Sequence, residues 1–413
     1  WGELGNQDVE SYLDLLLIPL SGNAVNWIFD AGGSRPVGFA GTPSLISPDL
    51  TWETARTVNV GTDLTFLDGK LKANFDWFER TTFDMIGPVQ AQPGVLGSVV
   101  PRTNNATLRS RGWEINLNWN HFVNQDFSYG IGLNLYDSKA VVTEYENPTG
   151  ILNTWYEGRE AGEIWGYTAH DLYRTQDEID DYISSVDLSD ITGLAWNTGD
   201  VKYEDVNGDG VVDDGANTLE DHGDLQIIGN DALHYQYGIN LNANYKGFDI
   251  SMVWRGVGKR DLWFGSNDNI FWGFRTGNQT SLFPNHLNYF RDQPGDEYTG
   301  LELGDANINL DAYYPRPYIN NAQNNKNRLV STRYLQNGAY LRLQNVQMGY
   351  NFSGKVLEKL NLASLRLYFS GENLFTFSDL PVGIDPVAIS SSWGAGKTYG
   401  ADRIISVGLK VSY

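Results

Sequence analysis

In the run HYQYGINLNANYK, residues 234–246, every second side chain is apolar or aromatic. Tyr235, Tyr237, Ile239, Leu241, Ala243 and Tyr245 fall on one face, and His234, Gln236, Gly238, Asn240, Asn242 and Asn244 on the other. Strict alternation over this length is the signature of a β-strand with two different surroundings. The same alternation recurs in RGWEINLNWN (111–120), where Trp113, Ile115, Leu117 and Trp119 oppose Glu114, Asn116, Asn118 and Asn120. It returns at Val58–Phe66, Leu71–Trp77, Phe127–Leu135, Phe248–Trp254, Val346–Phe352, Leu365–Phe369 and Ile405–Tyr413. About nine strands of roughly ten residues are expected. Strands in soluble proteins average about five or six residues, whereas a tilted strand crossing a bilayer needs about nine to eleven.

The apolar faces often end in aromatic residues: Trp113 and Trp119, Tyr235 and Tyr245, Phe248 and Trp254. Aromatic girdles at two membrane interfaces produce that pattern. The opposite face is Asn, Gly, Ser and Thr, with few Lys or Glu. Alternation alone also fits a soluble β-sandwich or propeller, but such a protein usually shows more charge on its wet face. The connections point the same way. Short ones at Asp68, Asn124 and Lys246–Gly247, and a modest one over 353–364 with room for one helical turn, alternate with long polar ones at about 79–110, 139–233, 257–339 and 375–402. Up-and-down outer-membrane barrels have short periplasmic turns and long extracellular loops. The expected fold is therefore all-β: the C-terminal part of a large antiparallel transmembrane β-barrel with long extracellular loops, spanning 1–413. Counting strands back from RIISVGLKVSY puts the C-terminus on the periplasmic side. An odd strand number cannot close with antiparallel pairing, so further strands and any plug domain are expected outside this chain. The segment YLDLLLIPL (12–20) reads as a loop strand, and the phase shift between Leu343 and Val346 as a β-bulge.

Composition narrows the function. The 51 acidic residues outnumber the 29 Lys and Arg, for a net charge of −22. Nothing supplies a basic stripe for nucleic-acid phosphates. With no cysteine, disulfides, thiolate metal sites and cysteine nucleophiles are excluded. Five scattered histidines and the absence of HExxH, GxSxG or a phosphate-cradling loop argue against an enzyme. The first ten residues are polar and carry no secretory signal. Arg109 and Arg111, in RSRG (109–112), are expected at a strand start, where lipid headgroups or lipopolysaccharide phosphates could bind, or as a plain solvated strand end.

One loop stands apart. YEDVNGDGVVDDG (203–215) spaces oxygen ligands as an EF-hand loop does: Asp205, Asn207 and Asp209 at positions one, three and five, Gly210 at the turn, the Val211 carbonyl, then Asp213 at position nine. This spacing suits Ca²⁺. Position twelve is Ala216 where an EF-hand has Glu, so Asp214, Glu220, Asp221 or water would complete the shell. Two tight Asn-Gly and Asp-Gly turns without an ion fit the same residues. The long acidic connection around the loop is expected to have little core of its own, and an ion would crosslink it.

Several colinear stretches resemble the late barrel of SusC/RagA-type TonB-dependent transporters. They are DLTWETARTVNVGTDLTFLDGKLKANFDWFERTTFDMI, LRSRGWEINLNWN, GDVKYEDVNGDGVVDD, IIGNDALHYQYGINLNANYKGFDISMVWRGVG, AYLRLQNVQMGYNFSGKVLEKLNLASLRLYFSGENLFTFSDLPVGIDP and the closing RIISVGLKVSY. The resemblance implies an outer-membrane barrel with a plug inside and a SusD-like surface lipoprotein as lid. It also implies TonB as the energy link, contacted through an N-terminal region, and oligosaccharides or peptides as cargo. The plug and the TonB-contacting segment are not among these residues. Outer-membrane lipid and lipopolysaccharide would meet the apolar face. The alternative from another class is a secreted or surface glycan-binding, adhesive β-protein whose aromatics stack on sugars.

Overall fold

The computed structural model describes residues 2–6, 20–30, 33–40, 45–48, 50–89, 100–265, 269–273, 282–295, 304–389 and 400–413. Its main element is a ten-stranded sheet: β1 (Gly2–Asn6), β2 (Glu53–Phe66), β3 (Leu71–Ile86), β4 (Asn104–Phe122), β5 (Phe127–Tyr145), β6 (His234–Tyr245), β7 (Phe248–Lys259), β8 (Tyr340–Asn351), β9 (Ser364–Ser378) and β10 (Ile404–Ser412). Within it every strand pairs with its predecessor and its successor, so the sheet is one meander, antiparallel at each ladder. All nine expected strands are present, with the short β1 in addition. A separate hairpin pairs Leu20–Asp30 with Gly33–Ala40. Of the expected loop strand at 12–20, only Leu20 lies among the described residues, where it opens that hairpin.

The short connections have definite chemistry. Lys246 and Gly247 have φ of 48° and 88°, and Tyr245 pairs directly with Phe248. This two-residue left-handed turn matches the twist of the strands it joins. At the next hairpin the Asn124 side chain accepts from the N–H groups of Asp126 and Phe127, both at 2.9 Å. The modest connection holds a short helix, Lys355–Leu360, ended by Asn361 in the left-handed region.

The long-connection ends of the strands differ from expectation. β3 continues to Ile86, β4 starts at Asn104 and β5 reaches Tyr145, so the connections shrink to 87–103 and 146–233. The reason is a change of side-chain type without a change of backbone pairing. Val58, Glu79, Arg111 and Lys139 are cross-strand neighbours on the face that carries Val60, Trp77 and Trp113 one rung away. Hydropathy alternation stops at this rung while the hydrogen-bond ladder goes on. Arg109 and Arg111 therefore lie inside β4 rather than at its start.

The bulge is where the phase shift put it. Trp254 faces Leu343 and Val253 faces Asn345, which leaves Gln344 as the extra residue on β8. On the other side, Leu343 and Asn345 face Phe375 and Glu372, and Asn373 takes a φ of 50°. The bulge keeps Leu343 and Val346 on one side, and both are buried.

Three glycines of the sheet sit directly opposite an aromatic ring: Gly112 under Phe78, Gly256 under Tyr237 and Gly408 under Tyr368. The ring covers the bare backbone that glycine leaves, and any side chain at these positions would collide with it.

Apart from a small cluster of Ala106, Val142 and Tyr145, the buried core is not in the sheet. It lies in the connections after β5 and β7, where Tyr173, Ile179, Tyr203, Phe271, Trp272, Phe290 and Tyr334 pack together at 2% exposure or less. The expectation that these acidic segments have little core is overturned. Their acidity is on the outside, and the aromatics between the charges face one another. Phe271, for example, meets Trp272 edge-on at 4.9 Å and stacks on Phe264 at 5.1 Å.

Candidate functional site

The functional surface begins with the two faces of the sheet. On the polar face, rungs cross several strands without a break: Asp63, Asn74, Asn116, Asn134, Gly238; then Thr65, Lys72, Asn118, Gly132, Asn240; then Asn120, Gly130, Asn242, Ser251. Asn side chains lie over the glycines of the neighbouring strand, as Asn118 and Asn240 do over Gly132. The result is a wall rich in amides, able to donate and accept hydrogen bonds. Further along the same face Arg366 pairs with Asp249, with its Nε 3.0 Å from Oδ1. Asn351 donates to the same carboxylate at 2.9 Å, and Arg366 also reaches Gln347 at 3.1 Å.

On the other face the rungs are apolar: Phe127, Tyr245, Phe248, Tyr350 nearest the short turns, then Trp119, Ile131, Leu241, Met252, Val346. Many of these side chains are open. Val407 is 74% exposed, Ile405 66% and Val60 63%. A contiguous apolar face of this size, open over much of the sheet, is a surface built for a solvent other than water.

Beyond the long-connection end, a buried ion pair fastens two connections together. Lys326 and Asp200 meet at 2.6 Å with both side chains fully buried. The Asp200 carboxylate also accepts from the Tyr318 hydroxyl and the Asn327 amide, both at 2.8 Å, and from the Asn197 N–H at 2.7 Å. The Lys326 ammonium donates to the Ala195 carbonyl at 2.6 Å and lies over the rings of Trp196 and Tyr318. Burial draws the Lys326 ammonium below its usual pKa, and Asp200 offsets only part of this. Nearby, burial of Asp385 opposes its ionisation. The Val387 and Ala401 N–H groups and the paired Arg342 outweigh that effect and hold the carboxyl below its usual range. Neither pair was visible in the sequence, because nothing in the spacing of Asp200 and Lys326 or of Arg342 and Asp385 marks them.

The acidic loop is compact. Asp205 accepts from the N–H groups of Gly208 at 2.6 Å and Gly210 at 2.9 Å. Asn207 caps the N–H of Asp209, and Asp209 that of Val211, each at 2.9 Å. Asp213 turns back on Gly215. One residue outside the motif organises the whole loop: buried Asp224 accepts from Val206 at 2.6 Å, Asn207 at 3.3 Å and Asp213 at 3.1 Å. Burial first, and the charges of Asp209, Asp190 and Asp224 after it, push the Asp213 carboxyl above its usual value. Asp205, Asn207 and Asp209 are thus brought together by successive side-chain turns, while Asp214 and Glu220 stay exposed. Among the described residues no three His, Asp or Glu side chains converge as a metal site.

Comparison with known proteins follows from this two-faced sheet. Residues 19–158 match the family described as TonB dependent receptor-like, beta-barrel. TonB-dependent receptor P3 of Formosa agariphila is 25% identical over 94% of this chain and 35% of its own length. TonB-dependent receptor SusC of Bacteroides thetaiotaomicron is 21% identical over 94% of this chain and 34% of its own length. The fold matches the RagAB peptide transporter at a TM-score of 0.64 and 17% identity, over 100% of this chain and 40% of that one. The chain is similar to TonB-dependent receptor barrels, and its fold is that of such a barrel. The curated relatives it matches are named as receptors, SusC among them. The chain spans little more than a third of the length of the curated relatives it matches. Barrels of this fold turn an apolar face to lipid and a polar face to the lumen.

Replacing Asp200 with Ala strands the Lys326 ammonium in the receptor's outer core. The expected cost is about 3–5 kcal/mol, confined to the long connections. Hydrogen exchange should rise across 169–203 and 312–334 while the ladders of β4 to β7 keep their protection. Unchanged exchange in those connections would show that the pair does not hold them together.

Proposed function

We propose that this chain serves outer-membrane, TonB-dependent nutrient uptake of the SusC type, with oligosaccharides or peptides as cargo. A SusD-like surface lipoprotein is the partner that covers the long connections. TonB supplies the energy through parts of the receptor beyond the stretch matched here. The short turns and the C-terminus face the periplasm, the long connections face the exterior, and outer-membrane lipid and lipopolysaccharide cover the apolar face.

The observation that carries this reading is the wall itself, with amide-rich polar rungs on one side and apolar rungs on the other. Amides satisfy the hydroxyls of a sugar or the backbone of a peptide equally well, which fits a passage for polar, uncharged solutes. The structural neighbour RagAB, a peptide transporter by description, supports the peptide branch at the level of fold.

Calcium in the outer loop belongs to the same reading. Both oxygens of Asp205 and of Asp209 accept one hydrogen bond each, as does the Asn207 amide oxygen, and every one keeps a lone pair for a cation. The Val211 carbonyl and Asp213 complete the proposed set. A divalent ion would relieve the repulsion that, after burial, adds to the rise of the Asp213 pKa.

Arginine in place of Leu241 should cost about 2–4 kcal/mol near the bilayer midplane and lower the amount of assembled receptor in outer-membrane fractions. Normal assembly of Leu241→Arg would remove the lipid-face assignment. Affinity purification of the full-length receptor from its own outer membrane should bring down a surface lipoprotein. Recovery of the receptor alone would remove the lid. Proteolysis near Asp209 should slow with Ca²⁺ and quicken with chelator. Equal cleavage under both conditions would remove the ion.

A further inference from the structure

Directly above the aromatic rung of Trp77 and Trp113, the lipid face changes character. The next two rungs carry Arg56, Arg109, Arg111 and Lys139, with Val58, Glu79, Thr81 and Val141 between them. From Phe127 to Lys139 is about 40 Å of strand at ~3.3 Å per residue, or about 30 Å of membrane normal at the usual tilt of ~40°. That clears an apolar band of about 25 Å, so the cations lie where the headgroups of one leaflet begin.

In a chain of net charge −22, this band holds four cations against three carboxylates. Arg56 pairs with Glu3, Arg111 with Glu79 and Lys139 with Glu160, and these side chains are exposed by 49%, 54% and 62% respectively. Exposed pairs of this kind are worth about 0–1 kcal/mol and give way readily to a stronger anion. No ion pair engages Arg109 among the described residues. Lys139 also borders a cleft of about 480 Å³ whose lining includes Glu160, Asn230, His234, Tyr235 and Lys259. His234 is fixed there by Asp137 at 2.7 Å, and Tyr235 presents an exposed ring.

We propose that this rim is a binding site for a phosphorylated glycolipid of the outer leaflet. Its phosphate lies on Arg109, Arg111 and Lys139, and its sugar headgroup enters the cleft beside Tyr235. The proposal rests on the membrane orientation given under Proposed function and names residues for the lipid contact. Guanidinium groups suit the phosphate because they offer paired, planar donors. The cleft suits a sugar because an aromatic face stands beside amide and carboxylate acceptors.

The test uses full-length receptor in detergent, with native mass spectrometry reading retention of diphosphoryl lipid A and of the same lipid stripped of its phosphates. Wild type should retain the phosphorylated lipid in preference to the stripped one. The double variant Arg109→Gln with Lys139→Gln should bind it about thirtyfold more weakly, given the worth of two cations at a lipid surface. Lys410→Gln removes one charge from the lumen face and should leave retention unchanged. Equal retention by wild type and the double variant, or equal retention of both lipids, overturns the site. Both variants should reach the outer membrane normally, so failure here is distinct from failure of the membrane reading, which Leu241→Arg tests. Displacement of the lipid by inorganic phosphate alone would overturn the role of the cleft.

Discussion

The structure depends on one constraint: a backbone in hydrocarbon must satisfy every N–H and C=O group from within the protein. The ten-strand meander does this rung by rung, and each strand has partners on the sides where the sheet continues. Everything else follows from what the two faces then meet. Lipid asks only for apolar bulk, so that face carries branched chains and rings. The lumen asks for hydrogen bonding, so that face carries amides laid over glycines and a few charged side chains. Where lipid ends the ladder does not, and the side chains alone register the boundary.

That distinction explains how much was legible in the amino-acid chain. Period two in His234–Tyr245 or Trp113–Trp119 reports the contrast between faces, so strand existence, order and even the bulge at Gln344 could be read. Strand ends could not. Beyond Trp113 both faces are polar, and Arg111 on a paired strand looks the same as Arg111 on a loop. The calcium-like motif was legible because side-chain turns are local: Asp205, Asn207 and Asp209 act within five residues. Its organiser Asp224 was not, since it arrives from beyond the motif. The outer core was missed for the same reason at larger scale. Its aromatics are scattered over two connections and have no period, and only the fold brings Tyr173, Trp272 and Tyr334 into contact.

The outer connections also show how an acidic surface and an aromatic interior coexist. Carboxylates turned outward stay hydrated and need no partner. The few turned inward, Asp200 and Asp224, are saturated with donors. A charge that is buried and fully bonded specifies position more than it adds stability. Both residues do so, one by joining two connections and the other by closing a loop.

The Lys326–Asp200 clasp has a consequence for biogenesis. Its two halves are 126 positions apart, with the β6–β7 hairpin threaded between them. Contacts of such long range form late, after the intervening chain has been placed. During synthesis and insertion, therefore, the segment around Tyr173 and Tyr203 must wait bare until the chain reaches Lys326. In that interval its rings have no partner to cover them. A folding escort would find its footing there rather than on the strands.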